Sequence, residues 1–328
     1  MSTRIAILIL LFSTAGLHSQ NGPGTGANSI GKDTPTISLD VAVFDVHGKV
    51  VADLNRHDFE VLENGKPQTI RTFTPAEAPY NVLVLLDCRE STRDRLLLLT
   101  NAMSRFVHQL RPGDRVEIAA FDSEVHVLLD WTAVREDEIH FDDKLICKST
   151  DLYGALNWSL KEIRKVADRR GVVVFSNGFQ SDIARQEIDV NGSIVKRIVP
   201  PAKDPEFQKV MKKVREGGSP FYFVAVDTDL NPGTRNTTLV QDLQEVRARA
   251  EEVAAVSGGR IVFPRESSEV VPLFLQIGRE LGSAYSLTYS PERPADSSYR
   301  TIDVQVRGES YVVQQSRMGY TASDPLPR

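Results

Sequence analysis

Three hydrophobic patterns follow one another along the 328-residue chain. From about residue 35 to 75, apolar and polar positions alternate. Ile37, Leu39, Val41 and Val43 share one face of "ISLDVAVF", the period of a half-buried strand. A turn at His47-Gly48 follows, and "KVVADL" reads as extended again. In "DFEVLENGKPQTIRTFTP" the pair Asn64-Gly65 separates two short strands, the strongest short-range hairpin signal. From Tyr80 the period changes. "NVLVLLD" is an unbroken apolar run closed by Asp87, which predicts a parallel strand buried on both faces. A helix is expected over about 92–110, with Leu96, Leu99, Met103, Phe106, Val107 and Leu110 inward. "RVEIAAF" and "VHVLLDW" read as strands joined at Asp122-Ser123, and a helix begins near Thr150 with Leu152, Leu156, Leu160 and Ile163 inward. Strands "GVVVFS", "FYFVAVD" and "RIVF" then alternate with helices near 205–216, 238–256 and 267–281, the second ending at Gly258-Gly259. The segment 180–204, with Pro200-Pro201, reads as an irregular surface loop. After Gly282 the pattern is β again: "AYSLTYSP", "YRTIDVQVRG" and "YVVQQSRMGY" have no helix between them.

Strand–helix alternation in the middle predicts an α/β domain with a mostly parallel central sheet. The β ends are each too short to bury a good core alone. The expected solution is one β-sandwich built from 35–76 and 284–320, into which the α/β domain 80–282 is inserted, leaving 321–328 as a tail.

The first residues change the picture of where the protein works. "MSTRIAILILLFSTAGLHSQ" has Arg4, an apolar run from Ile5 to Phe12, and small and polar residues up to Ser19. That is the layout of a secretory signal, expected over 1–19, too short for a comfortable membrane span unless it is kept as an anchor. Residues 20–34 read as a flexible Gly-, Asn- and Ser-rich linker. The mature protein is therefore expected to be exported (periplasmic, surface-held or secreted), with no further membrane span. Export makes a disulfide between the two cysteines, Cys88 and Cys147, an open reading; two buried thiols are the alternative. Three N-x-S/T acceptor patterns begin at Asn157, Asn191 and Asn236, a pattern common by chance.

Composition adds mainly exclusions. The hydrophobic fraction is 41% and the charged fraction 25%, ordinary for a globular protein, and the net charge of -5 is mild. Basic residues are interspersed with acids, as in "QEVRARAEEV", so no nucleic-acid face is expected. The six histidines show no metal-ligand spacing, and no G-x-S-x-G elbow is present. With no histidine in the candidate loops, a hydrolase is the weakest reading.

Ligands in α/β folds sit beyond the carboxyl ends of the strands, which draws attention to the loops after "VLVLLD" and "VVVFS" and to the segment opening the Thr150 helix. "VLVLLD-CRES", "STDLYGAL" and "VVVFSNG" resemble the three metal-site loops of a von Willebrand factor type A domain. More widely, residues 35–320 are similar to the type A-related proteins of Acidobacteria, through "VFDVHGKVVADLNRHDFEVLENG" (Val43 to Gly65), the "Y-x-L-x-Y-x-P" of Tyr285 to Pro291, the strand Arg300 to Val306, and the closing Gly319-Tyr320. The resemblance implies a Rossmann-like type A domain within the sandwich, with Mg²⁺ held at the top of the sheet by a D-x-S-x-S loop, a Thr and an Asp, and an open position for a partner's carboxylate.

Carried over residue by residue, Asp87, Ser91 and Thr150 match that pattern. Arg89 stands where the first Ser belongs, and Asn177 where the last Asp belongs. A cation at about 4 Å from a divalent ion costs about 4 kcal/mol per unit charge product at an effective dielectric near 20. The resemblance therefore implies a degenerate site, with Mg²⁺ binding weak or absent and no other cofactor. Arg89 then takes the ion's role, pairing with Asp87 or Asp151 and offering a fork to an acidic partner, with Glu90 and Asp151 beside it. A solvated Arg89 over a relic site is the alternative. In a type A fold the loops of Cys88 and Cys147 meet, which favours the disulfide. The function expected is non-enzymatic: protein–protein interaction or adhesion through the top face, with a protein partner that presents a carboxylate. An envelope scaffold working through its sandwich is the competing view.

Overall fold

The computed structural model describes residues 36–88, 96–133, 149–166, 169–188, 191–225, 237–294, 296–308 and 310–322. At its centre is a six-stranded sheet. β5 (Asn81–Asp87) lies between β6 (Arg115–Phe121) and β8 (Arg170–Phe175) and runs parallel to both. β11 (Phe221–Val224) and β12 (Ile261–Val262) extend the parallel side, and β7 (Val125–Ala133) closes the other edge antiparallel. The continuous apolar run of β5 has the consequence expected of a strand covered on both faces. Val82, Val84 and Leu86 enter one core with α1 (Leu96–Gln109) and α5 (Ser267–Gly282). Leu83 and Leu85 enter the other with α2 (Leu152–Glu162), α3 (Pro205–Gly217) and α4 (Thr237–Ser257). In the first core Phe274 stacks on Phe106 at 4.4 Å and meets the edge of Phe175 at 4.6 Å. Truncating such a ring to Ala costs about 3–5 kcal/mol.

Local chemistry fixes the helix starts. Asp204 caps α3, its Oδ1 accepting from the Glu206 and Phe207 amides at 3.1 and 3.2 Å, with Pro205 in the first turn. Behind it, the fully buried Arg249 of α4 donates to the Tyr153 hydroxyl at 2.6 Å, to Asp204 Oδ2 at 3.2 Å and to the Val199 carbonyl at 2.6 Å. This one guanidinium ties α2, α3 and the segment after residue 198 to α4.

The two chain ends build the sandwich together. One sheet has the order β15 (Val312–Gln315), β1 (Ile37–Phe44), β13 (Tyr285–Tyr289), β4 (Ile70–Thr74). The other is β16 (Gly319–Thr321), β14 (Tyr299–Val306), β2 (Phe59–Glu63), β3 (Lys66–Gln68). Ile37, Leu39, Val41 and Val43 are all buried, facing Val61, Ile302 and Val304 of the opposite sheet. Asn64 and Gly65 take φ of 49° and 73°, the two positive values that a tight hairpin turn demands. At the end of β2, buried Glu63 accepts from Arg300 at 3.2 Å, Tyr289 at 2.9 Å and Tyr320 at 2.8 Å.

Three expectations need correction. "YVVQQSRMGY" is not one strand. β15 and β16 belong to different sheets, and the chain crosses between them at Ser316–Met318. That crossing is fixed by the Ser316 amide donating to the Asp40 carbonyl at 2.7 Å and by the Asp40 amide donating to Ser316 Oγ at 2.8 Å. It also lies against Gly258, where a Cβ would stand 2.0 Å from the Ser316 Cα. "KVVADL" contributes only a single bridge, Val50 to Phe44, rather than a strand. The segment 180–204 is not irregular: β9 (Ala184–Ile188) and β10 (Ile194–Ile198) form an antiparallel ribbon. The overlooked signal is Asn191-Gly192, with Gly192 at φ +80°. Among the described residues, no helix is long and apolar enough to cross a membrane.

Candidate functional site

β5 delivers Asp87 to the carboxyl edge of the sheet as its last residue, and Asp87 is fully buried there. Its Oδ1 accepts from Thr150 Oγ1 at 3.1 Å and its Oδ2 from Ser176 Oγ at 3.0 Å. Thr150 immediately precedes the cap of α2, and Ser176 immediately follows β8. Three crossovers therefore meet at one carboxylate.

The loops are braced against one another by main-chain and amide bonds. The Ser181 amide donates to the Thr150 carbonyl at 3.0 Å, and the Thr150 amide donates to Ser181 Oγ at 3.1 Å. Asp151 caps α2 by accepting from the Gly154 amide at 3.0 Å, and takes a second bond from Gln180 Nε2 at 3.2 Å. Gly154 makes that cap feasible, because a Cβ there would lie 2.2 Å from Asp151 Oδ2. Gln180 Oε1 in turn accepts from the Tyr153 amide at 3.0 Å. The Asp151 amide donates to the Asp122 carbonyl at 2.6 Å, adding the turn after β6 to the cluster. Burial works to raise the Asp122 pKa. The Glu124 amide and the His126 ring at 3.1 Å outweigh that, holding it below the usual carboxylate range.

Asn177 is committed to its own turn. Its Oδ1 accepts from the Phe179 amide at 3.0 Å, and the Gly178 amide donates to Ser176 Oγ at 3.2 Å. Gly178, at φ +92°, presses on α4, where a Cβ would meet the Val246 carbonyl at 2.6 Å. Of the residues picked out by sequence, the structure thus gathers Asp87, Thr150, Asp151 and Asn177 along one edge. Arg89, Glu90, Ser91 and Cys147 lie outside the described residues. Cys88 is buried with its sulfur 3.2 Å from the Phe121 carbonyl oxygen, and no free cysteine stands among the described residues. Sequence reasoning did not assign Ser176, Gln180 and Ser181 to the site. Ser176 had a signal, since it closes the apolar run "VVVF" as Asp87 closes "VLVLL".

Residues 82–180 match a family model described as the von Willebrand factor type A domain. No curated protein matches the sequence. Among solved structures, a von Willebrand factor type A protein from Catenulispora acidiphila is similar at 8% identity, with 90% of this chain and 76% of that one covered and a TM-score of 0.45. The ArnB paralog VWA2 from Sulfolobus acidocaldarius aligns at 11% identity over 89% and 76% of the two chains, with a TM-score of 0.43. The PilB minor pilin from Streptococcus sanguinis aligns at 9% identity over 66% and 64%, with a TM-score of 0.42. The chain carries a von Willebrand factor type A domain, matched over 82–180 and including the sheet edge that holds Asp87.

Proposed function

We propose that this is an exported, non-enzymatic protein that binds a protein partner through the upper edge of its type A sheet, without depending on a divalent ion. The observation that carries this reading is the donor set around Asp87. Mg²⁺ favours oxygen ligands, carboxylates foremost. Here both Asp87 oxygens accept from hydroxyls, and Asn177 turns its carbonyl oxygen to the Phe179 amide. Asn177, a neutral amide where a carboxylate is needed and with its oxygen engaged by the Phe179 amide, fits a divalent ion poorly. Arg89, two positions beyond Asp87 in sequence, supplies the positive charge and takes a partner carboxylate in its fork. Glu90, next to it in sequence, and Asp151, at the start of α2, complete the proposed partner-binding set.

The non-enzymatic reading rests on Ser176. Its hydroxyl donates to Asp87 rather than to a histidine base, so nothing in this contact activates it as a nucleophile. A Cys88–Cys147 disulfide clamps the first loop to the segment before Thr150. The lack of a free thiol at Cys88 supports it.

The test is capture of partners by the mature protein from its own envelope fraction, with wild type, Arg89→Glu and Asp151→Asn compared with and without a chelator. Loss of the captured partner with Arg89→Glu, and indifference to chelation, is expected. Capture that chelation abolishes and Arg89→Glu leaves intact would overturn the reading.

A further inference from the structure

The ribbon of β9 and β10 leaves the site loop at Ser181 and projects from the domain. Its base is fixed: the Val199 amide donates to the Ile183 carbonyl at 2.9 Å, Arg249 holds the Val199 carbonyl, and the Ile198 amide reaches Asp242 at 3.4 Å. Beyond the base, Arg185, Gln186 and Lys196 are exposed. Ile188 and Ile194 stand opposite one another in register and are 76% and 71% exposed. An isolated two-stranded ribbon is at best marginally stable in water, and this one spends two large apolar side chains on solvent. On its other face Arg185 lies directly opposite Arg197, and like charges so placed repel. The ribbon is a sheet of two strands, and among the described residues β9 has no strand on its outer edge.

We propose that the outer edge of β9 is a docking strand for an extended segment of a partner polypeptide in which apolar and acidic residues alternate. The two faces of the ribbon define that pattern. Side chains alternate along any added strand, so one set falls on the Ile188/Ile194 face and the other on the Arg185/Arg197 face. Apolar residues cover the isoleucines, and carboxylates relieve the arginine pair. Main-chain bonds to the open edge supply affinity, and the alternating side chains supply specificity. This deepens the upper-edge reading, on which it rests for the existence of a protein partner. The ribbon's first strand begins three residues after Ser181, so a partner held at the Asp87 edge reaches it without leaving the molecule.

The test uses the mature chain and a labelled peptide of alternating Glu and Val, with the Lys–Val peptide as control. Saturable binding of the Glu–Val peptide is expected, with slowed amide exchange over 184–188. Ile188→Ser/Ile194→Ser, at exposed positions, weakens it by about tenfold. Arg185→Glu/Arg197→Glu reverses the preference towards the Lys–Val peptide. Saturable Glu–Val binding by a protein whose partner capture is abolished by chelation would leave this proposal standing and overturn the upper-edge reading alone. No saturable binding, equal binding of both peptides, or unchanged exchange over 184–188 would overturn it. So would a dimer that Ile188→Ser/Ile194→Ser abolishes, since the edge would then belong to a second copy.

Discussion

Glu63 and Asp87 are both buried carboxylates, and each is the last residue of a strand. The sandwich surrounds Glu63 with Arg300, Tyr289 and Tyr320, all three carried on strands. The type A sheet surrounds Asp87 with Thr150 and Ser176, two small hydroxyls carried on connections. The first arrangement is closed: bulky rings and a guanidinium fill the space, and the partners cannot move without breaking a sheet. Burial pushes the Tyr320 pKa up to about 12, with the Glu63 bond adding to it, so this phenol stays a donor at any ordinary pH. The second arrangement is small and lies at the edge where crossovers meet. The same group in the same position on a strand is held by bulky donors on strands in one place and by small hydroxyls on connections in the other.

Removing the cation on the closed side should destabilise the protein most. Arg300→Ala leaves Glu63 buried without its ion-pair partner and is expected to cost about 3–5 kcal/mol in denaturant unfolding. Replacing Cys88 and Cys147 by Ser removes the proposed clamp on the Asp87 side. Its expected cost is about 2–4 kcal/mol under oxidising conditions and nothing in reductant. Asp87→Ala strands two hydroxyls and is expected to cost about 1–3 kcal/mol. A cost equal to that of Arg300→Ala would make Asp87 one more structural pin and erase the distinction.

A third buried carboxylate gives a smaller effect and a clear sign. Glu117 on β6 is 1% exposed, its Oε2 has no hydrogen-bond partner among the described residues, and Glu162 and Asp130 lie nearby. Burial first, then those two carboxylates, push its pKa up to about 7, while Lys165 pulls the other way. The folded state holds this proton more tightly than the unfolded chain does. The cost is therefore absent well below the ordinary Glu value, grows as pH rises, and is complete above about 7. Glu117→Gln is expected to gain on the order of 1 kcal/mol at pH 8 and nothing at pH 4, read from melting curves at the two pH values. A gain that is the same at both would contradict the assignment.

How much of this was legible in the sequence depended on whether a side chain's role is local. Asp87 stood out because it ends an apolar run, and the run dictates burial on both faces. Glu63 did not, because "LENG" reads as the approach to a turn, and its three partners come from residues 289, 300 and 320. The sandwich itself was visible in the alternation of 37–43 and in the two β ends that each lacked a core. The split of "YVVQQSRMGY" was not, since the crossing depends on Ser316 bonding Asp40, 276 residues away. The ribbon after Ser181 was not legible either, because "ARQEI" and "IVKRI" carry no regular apolar–polar alternation on either side of Asn191-Gly192. Ser176, Gln180 and Ser181 joined the site only when the crossovers were brought together in space.

The proposed independence of the Asp87 edge from a divalent ion is read from a melting series in millimolar Mg²⁺. A ligand that binds only the folded state adds about 2.7 kcal/mol at a hundred times its dissociation constant, so an occupied site is visible. Wild type is expected to show little shift. The double variant Arg89→Ser/Asn177→Asp restores both missing ligand types beside Asp87, Ser91 and Thr150 and is expected to gain one, with Asn177→Asp alone gaining less. A clear Mg²⁺ shift in the wild type that Asp87→Ala removes would contradict the account.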